Sequence, residues 1–192
     1  RSSEFPFAPL PKNKQGWGHL YHRAIRADSV YRHCLRSIDL VLNDRMGKHG
    51  LPLMGVGDWN DGLDEIGSEG HGESVWLGFF LYYILKEMID VIEMKDGPKR
   101  KEHYLKKMRE LEAAIELTWR EDRYLRAFHD DGTEIGVKDS GIWEIDALTA
   151  AWAVMSGINF DRGLKVFNTA LNVLEKEDTI LLGWPALRED TK

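Results

Sequence analysis

The chain has 192 residues, 43% hydrophobic, 30% charged and 10% aromatic, a profile that excludes disorder and supplies one globular domain with a sizeable core. Its 26 Lys and Arg against 32 Asp and Glu leave a net charge of −6, which argues against nucleic acid or an anionic lipid surface as partner. Cys34 stands alone, so an intramolecular disulfide is excluded; with no leader pattern and no apolar run of the roughly 18 residues a membrane helix needs, a cytoplasmic protein without membrane contact in this segment is expected.

Residues 1–17 read as an extended lead-in, with Pro6, Pro9 and Pro11 and no periodic apolar face. Residues 18–192 read as a single helical unit. From Gly18 onward, Leu20, Ala24, Ala27, Tyr31, Cys34, Ile38 and Val41 recur at three- and four-residue steps and predict an amphipathic helix. Ser74 is placed to cap a second helix over residues 75–94, whose first turns are apolar on all sides and so must be covered on all sides. Pro98 suits the first position of a third, with Leu105, Met108, Leu111, Ile115 and Trp119 on its inner face. Residues 124–137 suggest one short β-hairpin turning at Asp131-Gly132. Ile145, Leu148, Trp152 and Met155 mark a fourth helix ending at Gly157, and Asp161 is placed to cap a fifth with Leu164, Phe167, Leu171 and Leu174. Together these predict an all-α domain of antiparallel helical hairpins with one short β-hairpin.

Chemistry concentrates in residues 50–73, GLPLMGVGDWNDGLDEIGSEGHGE. Seven glycines between two strong helices imply a shaped loop that a ligand can approach closely. Asp58, Asp61, Asp64, Glu65, Glu69 and Glu73 lie here without a Lys or Arg, making this the acidic pole of the chain. Crowded carboxylates beside an apolar neighbour such as Trp59 raise one another's pKa, the condition for a general acid, and Asp58 and Asp61 fit that logic. Trp59 offers a flat face with an N–H donor for a sugar ring, and Asn60 can both donate to and accept from hydroxyls. The set points to carbohydrate chemistry.

A solvated acidic turn is the plain alternative. A calcium loop is a weak one, because aligning Gly62 or Gly67 with the central glycine of such a loop puts Gly57 or Gly62 where the leading Asp belongs. The seven histidines show no metal-ligand cluster, so no metal is expected. No Walker sequence, nucleophile elbow or activated-cysteine setting is present. Trp119, Trp143 and Trp152 read as core, and His129, Asp130 and Asp131 as turn residues.

The run GLPLMGVGDWNDGLDEIG followed by GESVWLGFFLY resembles the central signature of glycoside hydrolase family 94, which holds cellobiose and chitobiose phosphorylases and the carboxyl-terminal region of cyclic β-1,2-glucan synthases. RHCLRSIDLVL, RAFHDDGTEIG and IDALTAAWAVMSG resemble the same family in the same order, so the likeness runs from about Tyr31 to Leu174 and leans to the glucan-synthase branch. The resemblance implies that the helical hairpins form about half of an (α/α)6 toroid. By position it implies that Asp61 is the general acid and that Trp59, with Asn60 and Asp58 beside it, binds the sugar. Inorganic phosphate is the implied co-substrate, attacking the anomeric carbon with inversion, with no other cofactor; the implied partner is a β-linked oligosaccharide or disaccharide. Ala150 stands where family members usually carry Gln, which leaves phosphate and water both open as acceptors. The alternatives are an inverting hydrolase and a non-catalytic carbohydrate-binding or scaffold fragment. Half a toroid also implies an isolated chain that is inactive and exposes apolar helix faces, so a homo-oligomer is possible.

Overall fold

A computed structural model describes residues 4–7 and 26–186. Backbone contacts divide the chain into two units, Arg1–Asp44 and Arg45–Lys192. In the first, β1 (Glu4–Phe7) pairs antiparallel with β2 (Arg26–Ser29), and α1 (Val30–Asp44) follows. The helix expected from Gly18 therefore starts at Val30; residues 18–25 lie outside the described residues. Ser29 Oγ accepts the Arg32 N–H at 3.3 Å, and Asp28 accepts the Ser29 N–H at 2.8 Å. Side chains that bond local backbone in this way end a helix on its N-terminal side, whatever the apolar spacing beyond.

The second unit is built on two helical hairpins. In the first, α2 (Val75–Asp96) and α3 (Pro98–Glu116) are separated by Gly97 alone, at φ 85°, with Pro98 at the first position of α3. Ser74 caps α2 as expected, its hydroxyl accepting the Leu77 N–H at 3.1 Å. The two helices run antiparallel: a Cβ at Gly78, early in α2, would meet Ile115, late in α3, at 3.2 Å. In the second hairpin, α4 (Ala147–Ser156) ends at Gly157 in the left-handed region, φ 73°, and α5 (Phe160–Leu174) returns along it. Asn159 caps α5, accepting the Arg162 N–H at 3.2 Å, while Asp161 falls in the first turn instead of at the cap.

Between the hairpins, α2 and α4 lie side by side and parallel, a departure from the expected antiparallel neighbours. Trp152 of α4 packs edge-on against Phe80 and Tyr83 of α2, with ring centroids 5.0 and 5.6 Å apart, and Lys86 reaches the Ser156 carbonyl one turn further along both. Val75, Trp76, Phe79, Leu81 and Leu85 are buried, as the all-round apolar character of that stretch requires. The parallel arrangement puts the N-termini of α2 and α4 at the same end, where the acidic loop runs into α2.

The expected hairpin is accompanied by further short antiparallel ribbons. The hairpin itself is present as β6 (Ala127–Phe128) and β7 (Glu134–Ile135), but β6 also pairs with β3 (Glu73–Ser74) to make a three-stranded sheet. β4 (Trp119–Arg120) pairs with β5 (Arg123–Tyr124), β8 (Ile145–Asp146) with β11 (Gly183–Trp184), and β9 (Glu175–Lys176) with β10 (Thr179–Ile180). Two-residue strands are too short to leave an alternating pattern in the sequence.

Candidate active site

The loop is a zipped lobe. Its two arms bond at the root, Met54 N–H to the Gly72 carbonyl and Ser74 N–H to the Pro52 carbonyl at 2.8 and 2.9 Å, and Leu53 N–H bonds the Arg45 carbonyl just before the loop at 2.8 Å. Beyond the root, Met54, Leu63 and Ile66 close a small apolar plug on Ala127, with Ile135 against it. Two glycines make this closure possible. A Cβ at Gly67 would lie 2.7 Å from the Gly55 carbonyl oxygen, and one at Gly72 would overlap the Ile66 carbonyl. The loop therefore has a core of its own and keeps its shape.

Three carboxylates anchor the lobe. Glu73, fully buried, accepts the backbone N–H groups of His49 and Leu51 at 3.1 Å and meets His49 Nδ1 at 2.7 Å, while the His49 ring stacks on Phe128 at 3.8 Å. Asp130, at the tip of the β6–β7 hairpin, accepts N–H groups from Glu69, His71 and Gly72, each at 2.7 Å. Burial pushes the Asp130 carboxyl up, and those three donors outweigh it and hold the group below its ordinary value. The third anchor is Asp58.

Asp58 turns inward onto Arg126. The Arg126 guanidinium, 1% exposed, grips Asp58 through Nη1 to Oδ2 at 2.7 Å and Nη2 to Oδ1 at 2.8 Å. Asp58 Oδ2 also accepts the Ser74 hydroxyl at 2.8 Å, and Oδ1 the Asn60 N–H at 3.0 Å. On its other side Arg126 Nε reaches Asp146 Oδ2 at 3.2 Å. Asp146 caps α4 by accepting the Thr149 N–H at 2.6 Å and also accepts from Trp143 Nε1 at 2.9 Å. Sequence reasoning places Asp58 among carboxyls with raised pKa, and the structure corrects this. Burial does push the group up, but the hydrogen bonds and charge of Arg126, with donors from Asn60 and Ser74, hold it below its ordinary value.

The other expected site residues face outward. Asn60 caps a short 3-10 turn, Asp61–Leu63, its side-chain oxygen accepting the Gly62 N–H at 3.0 Å. Asp61 opens that turn with an exposed carboxylate that has no hydrogen-bond partner among the described residues. Trp59 beside it is 63% exposed, a large apolar face left in water next to an uncommitted acid. That pair can stack on a sugar ring and deliver a proton. Among the described residues no group of three or more His, Cys, Asp or Glu is placed to hold a metal ion, and no helix is long and apolar enough to cross a membrane.

Arg126, Asp130 and Asp146 are missing from the sequence-derived set. Arg126 carried a readable signal, a single cation inside the apolar run Tyr124 to Phe128, where an unpaired charge would not be buried. Asp146 carried another, a capping residue directly before a helix.

The family model described as the glycosyl hydrolase 94 superfamily, catalytic domain, matches residues 20–192. The cyclic beta-(1,2)-glucan synthase NdvB of Rhizobium meliloti (strain 1021) is 35% identical over 156 residues, 79% of this chain and 6% of that protein. Two Paenibacillus borealis enzymes are similar to nearly the same extent. Its 3-O-beta-D-glucopyranosyl-beta-D-glucuronide phosphorylase is 34% identical over 68% of this chain, and its solabiose phosphorylase 35% identical over 69%. The chain spans 17% of the length of each of these two.

Proposed function

The chain belongs to the glycosyl hydrolase 94 superfamily, and from that membership we propose that it carries the acid side of a centre that cleaves β-glucosidic bonds by inverting phosphorolysis. Asp61 protonates the glycosidic oxygen. A phosphate oxygen attacks the anomeric carbon from the opposite face, the bond to the leaving sugar breaks, and a sugar phosphate of inverted configuration forms. Phosphate replaces the activated water of a hydrolase, so a second carboxylate is not required. Trp59 and Asn60 line the sugar site. Two relatives named as phosphorylases support the reaction class, and the one named as a cyclic beta-(1,2)-glucan synthase supports a β-linked glucan as the substrate class.

The observation that carries this reading is the contrast between the two aspartates of the Asp-Trp-Asn-Asp run. Asp58 is consumed by protein partners, whereas Asp61 is solvent-facing and uncommitted beside an exposed Trp59. We further propose that the two helical hairpins form part of an (α/α)6 toroid in which α2 and α4 are neighbouring inner helices. Their parallel packing, with both N-termini at the loop, supports this, as does the exposure of Phe160, Leu164 and Phe167 on α5.

The test is Asp61→Asn in the full-length protein, assayed on a β-linked glucose disaccharide and on a 2,4-dinitrophenyl β-glucoside. The disaccharide rate should fall by roughly 10²-fold to 10⁴-fold, the usual contribution of general acid catalysis. The activated glycoside, whose leaving group needs no proton, should retain most of its rate. Release of sugar phosphate separates phosphorolysis from hydrolysis, and binding without turnover in the unsubstituted protein would establish a non-catalytic role instead. An Asp61→Asn protein that cleaves the disaccharide normally removes Asp61 as the acid.

A further inference from the structure

Arg126 is the largest fully buried side chain among the described residues, and every donor contact it makes ends on a group that shapes the loop or starts a helix. Its fork takes both oxygens of Asp58, Nη1 also reaches the Ser74 hydroxyl at 3.2 Å, and Nε reaches Asp146. Ser74 begins α2 and Asp146 begins α4. Its own backbone is held as well, the N–H by the Ile135 carbonyl at 2.7 Å and the carbonyl by the Val75 N–H at 3.1 Å. The guanidinium is thus fixed to the two parallel helices before it touches the loop.

From Arg126 a continuous series of hydrogen bonds leads to Asp61. Asp58 holds the Asn60 N–H, and Asn60 in turn caps the turn that Asp61 opens by accepting the Gly62 N–H. A carboxylate has room for about four donors, and Asp58 takes three hydrogen bonds, from Arg126 Nη2, the Ser74 hydroxyl and the Asn60 N–H, with Arg126 Nη1 in ion-pair contact at 2.7 Å. Its side chain is fully shielded from solvent, so it is closed to a sugar hydroxyl and its place in the site is to transmit position. We propose that Arg126 is a positioning residue which, through Asp58 and Asn60, sets where the Asp61 carboxylate stands relative to the bound glycoside. This rests on the reading of Asp61 as the acid. Lys cannot substitute, because an ammonium is a point charge that cannot span both Asp58 oxygens and Asp146 together.

The experiment compares Arg126→Lys, Ser74→Ala and Asp61→Asn in the full-length protein on the disaccharide and the dinitrophenyl glucoside, at fixed phosphate and with the folded fraction measured by thermal melting. A displacement of about 1 Å at a catalytic group costs up to about 10²-fold in rate. Arg126→Lys should therefore lower kcat on the disaccharide by about 10-fold to 10²-fold, and lower kcat on the activated glucoside by less than about 3-fold, since no proton is needed there. KM should change little on either. Ser74→Ala, which leaves the ion pair and removes one link, should move the ratio of the two rates in the same direction by a smaller factor, and it carries the test if Arg126→Lys does not fold. A merely structural role lowers both rates equally through loss of folded protein. Equal losses on the two substrates, with Asp61→Asn still showing the unequal pattern, overturn the positioning role alone. If Asp61→Asn shows no unequal loss, the acid assignment falls and the positioning role falls with it.

Discussion

Glu73 and Gly47 give a sharp test of how the loop is anchored. A Cβ added at Gly47 would stand 2.6 Å from Glu73 Oε2 and closer still to its Cγ and Cδ, and Gly47 has no positive φ of its own to defend. Gly47→Ala therefore acts on the Glu73 side chain alone, an overpacking that costs about 1–3 kcal/mol. Glu73→Ala removes the acceptor of the Leu51 N–H, a group in a fully buried residue; an orphaned buried donor costs about 1–3 kcal/mol. The His49 N–H and ring lose the same acceptor, but His49 is part-exposed and water can replace some of the loss. The whole substitution should destabilise the loop root by about 2–4 kcal/mol. In the Glu73→Ala background the atoms that the new methyl would strike are gone. Gly47→Ala should then cost almost nothing, and a methyl filling the vacated space contributes up to about 0.8 kcal/mol. The double variant should thus be more stable than the two single losses added, by about 1–3 kcal/mol. Hydrogen exchange of residues 47–53 reads the local opening free energy in all four proteins, and denaturant titration gives the global value. Losses that add to within about 0.5 kcal/mol would mean that the two positions do not share this space, and the account of Glu73 as the root anchor would be wrong.

The depressed pKa of Asp58 makes a signed prediction in acid. A carboxyl whose folded value lies below its unfolded value of 3.8 contributes stability that is fully present above pH 3.8 and is lost as pH falls through the folded value. Asp58→Asn should therefore be less stable than the parent at neutral pH and show a shallower loss of stability below pH 3.8; parallel curves would refute the Arg126 pairing. Trp59→Ala should leave stability within about 0.5 kcal/mol because the indole is already exposed. It should raise KM for a β-linked disaccharide by roughly tenfold, the equivalent of about 1.4 kcal/mol, and an unchanged KM would remove Trp59 from the sugar site.

What the sequence could disclose divides along the range of the interactions. Helices α2 to α5 are legible because apolar residues recur over many residues, as a stripe on α3, α4 and α5 and on all sides at the start of α2, and Ser74, Gly157 and Pro98 mark helix ends by local chemistry that needs no tertiary partner. The start of α1 is not legible for the converse reason: Leu20, Ala24 and Ala27 continue the stripe, yet Asp28 and Ser29 bond their own backbone and end the helix at Val30. The loop was recognisable from its glycines and its Asp-Trp-Asn-Asp run, but which aspartate faces water was not. Asp58 and Asp61 are the same residue type in the same acidic segment. What separates them is Arg126, 68 residues from Asp58 along the chain, brought there by the pairing of β6 with β3.

That pairing explains why a loop rich in glycine can still be rigid. Glycine supplies the close approaches at Gly67 and Gly72 at a cost in chain entropy, and the small apolar plug within the loop offsets only part of that cost. The rest comes from Arg126 and Asp130 outside the loop, which hold its first turn through Asp58 and its far arm, and from Glu73 at its root. Adjacent residues of β3 split the work: Glu73 holds residues 49–51, and Ser74 holds Asp58 while capping α2. A single strand register therefore sets both the helix start and the loop anchor. A slip of one residue there would exchange the carboxylate for the hydroxyl and unseat both at once. The burial of Glu73, Ser74 and Arg126 together fixes that register, because each of the three would be left with unsatisfied polar atoms in any other.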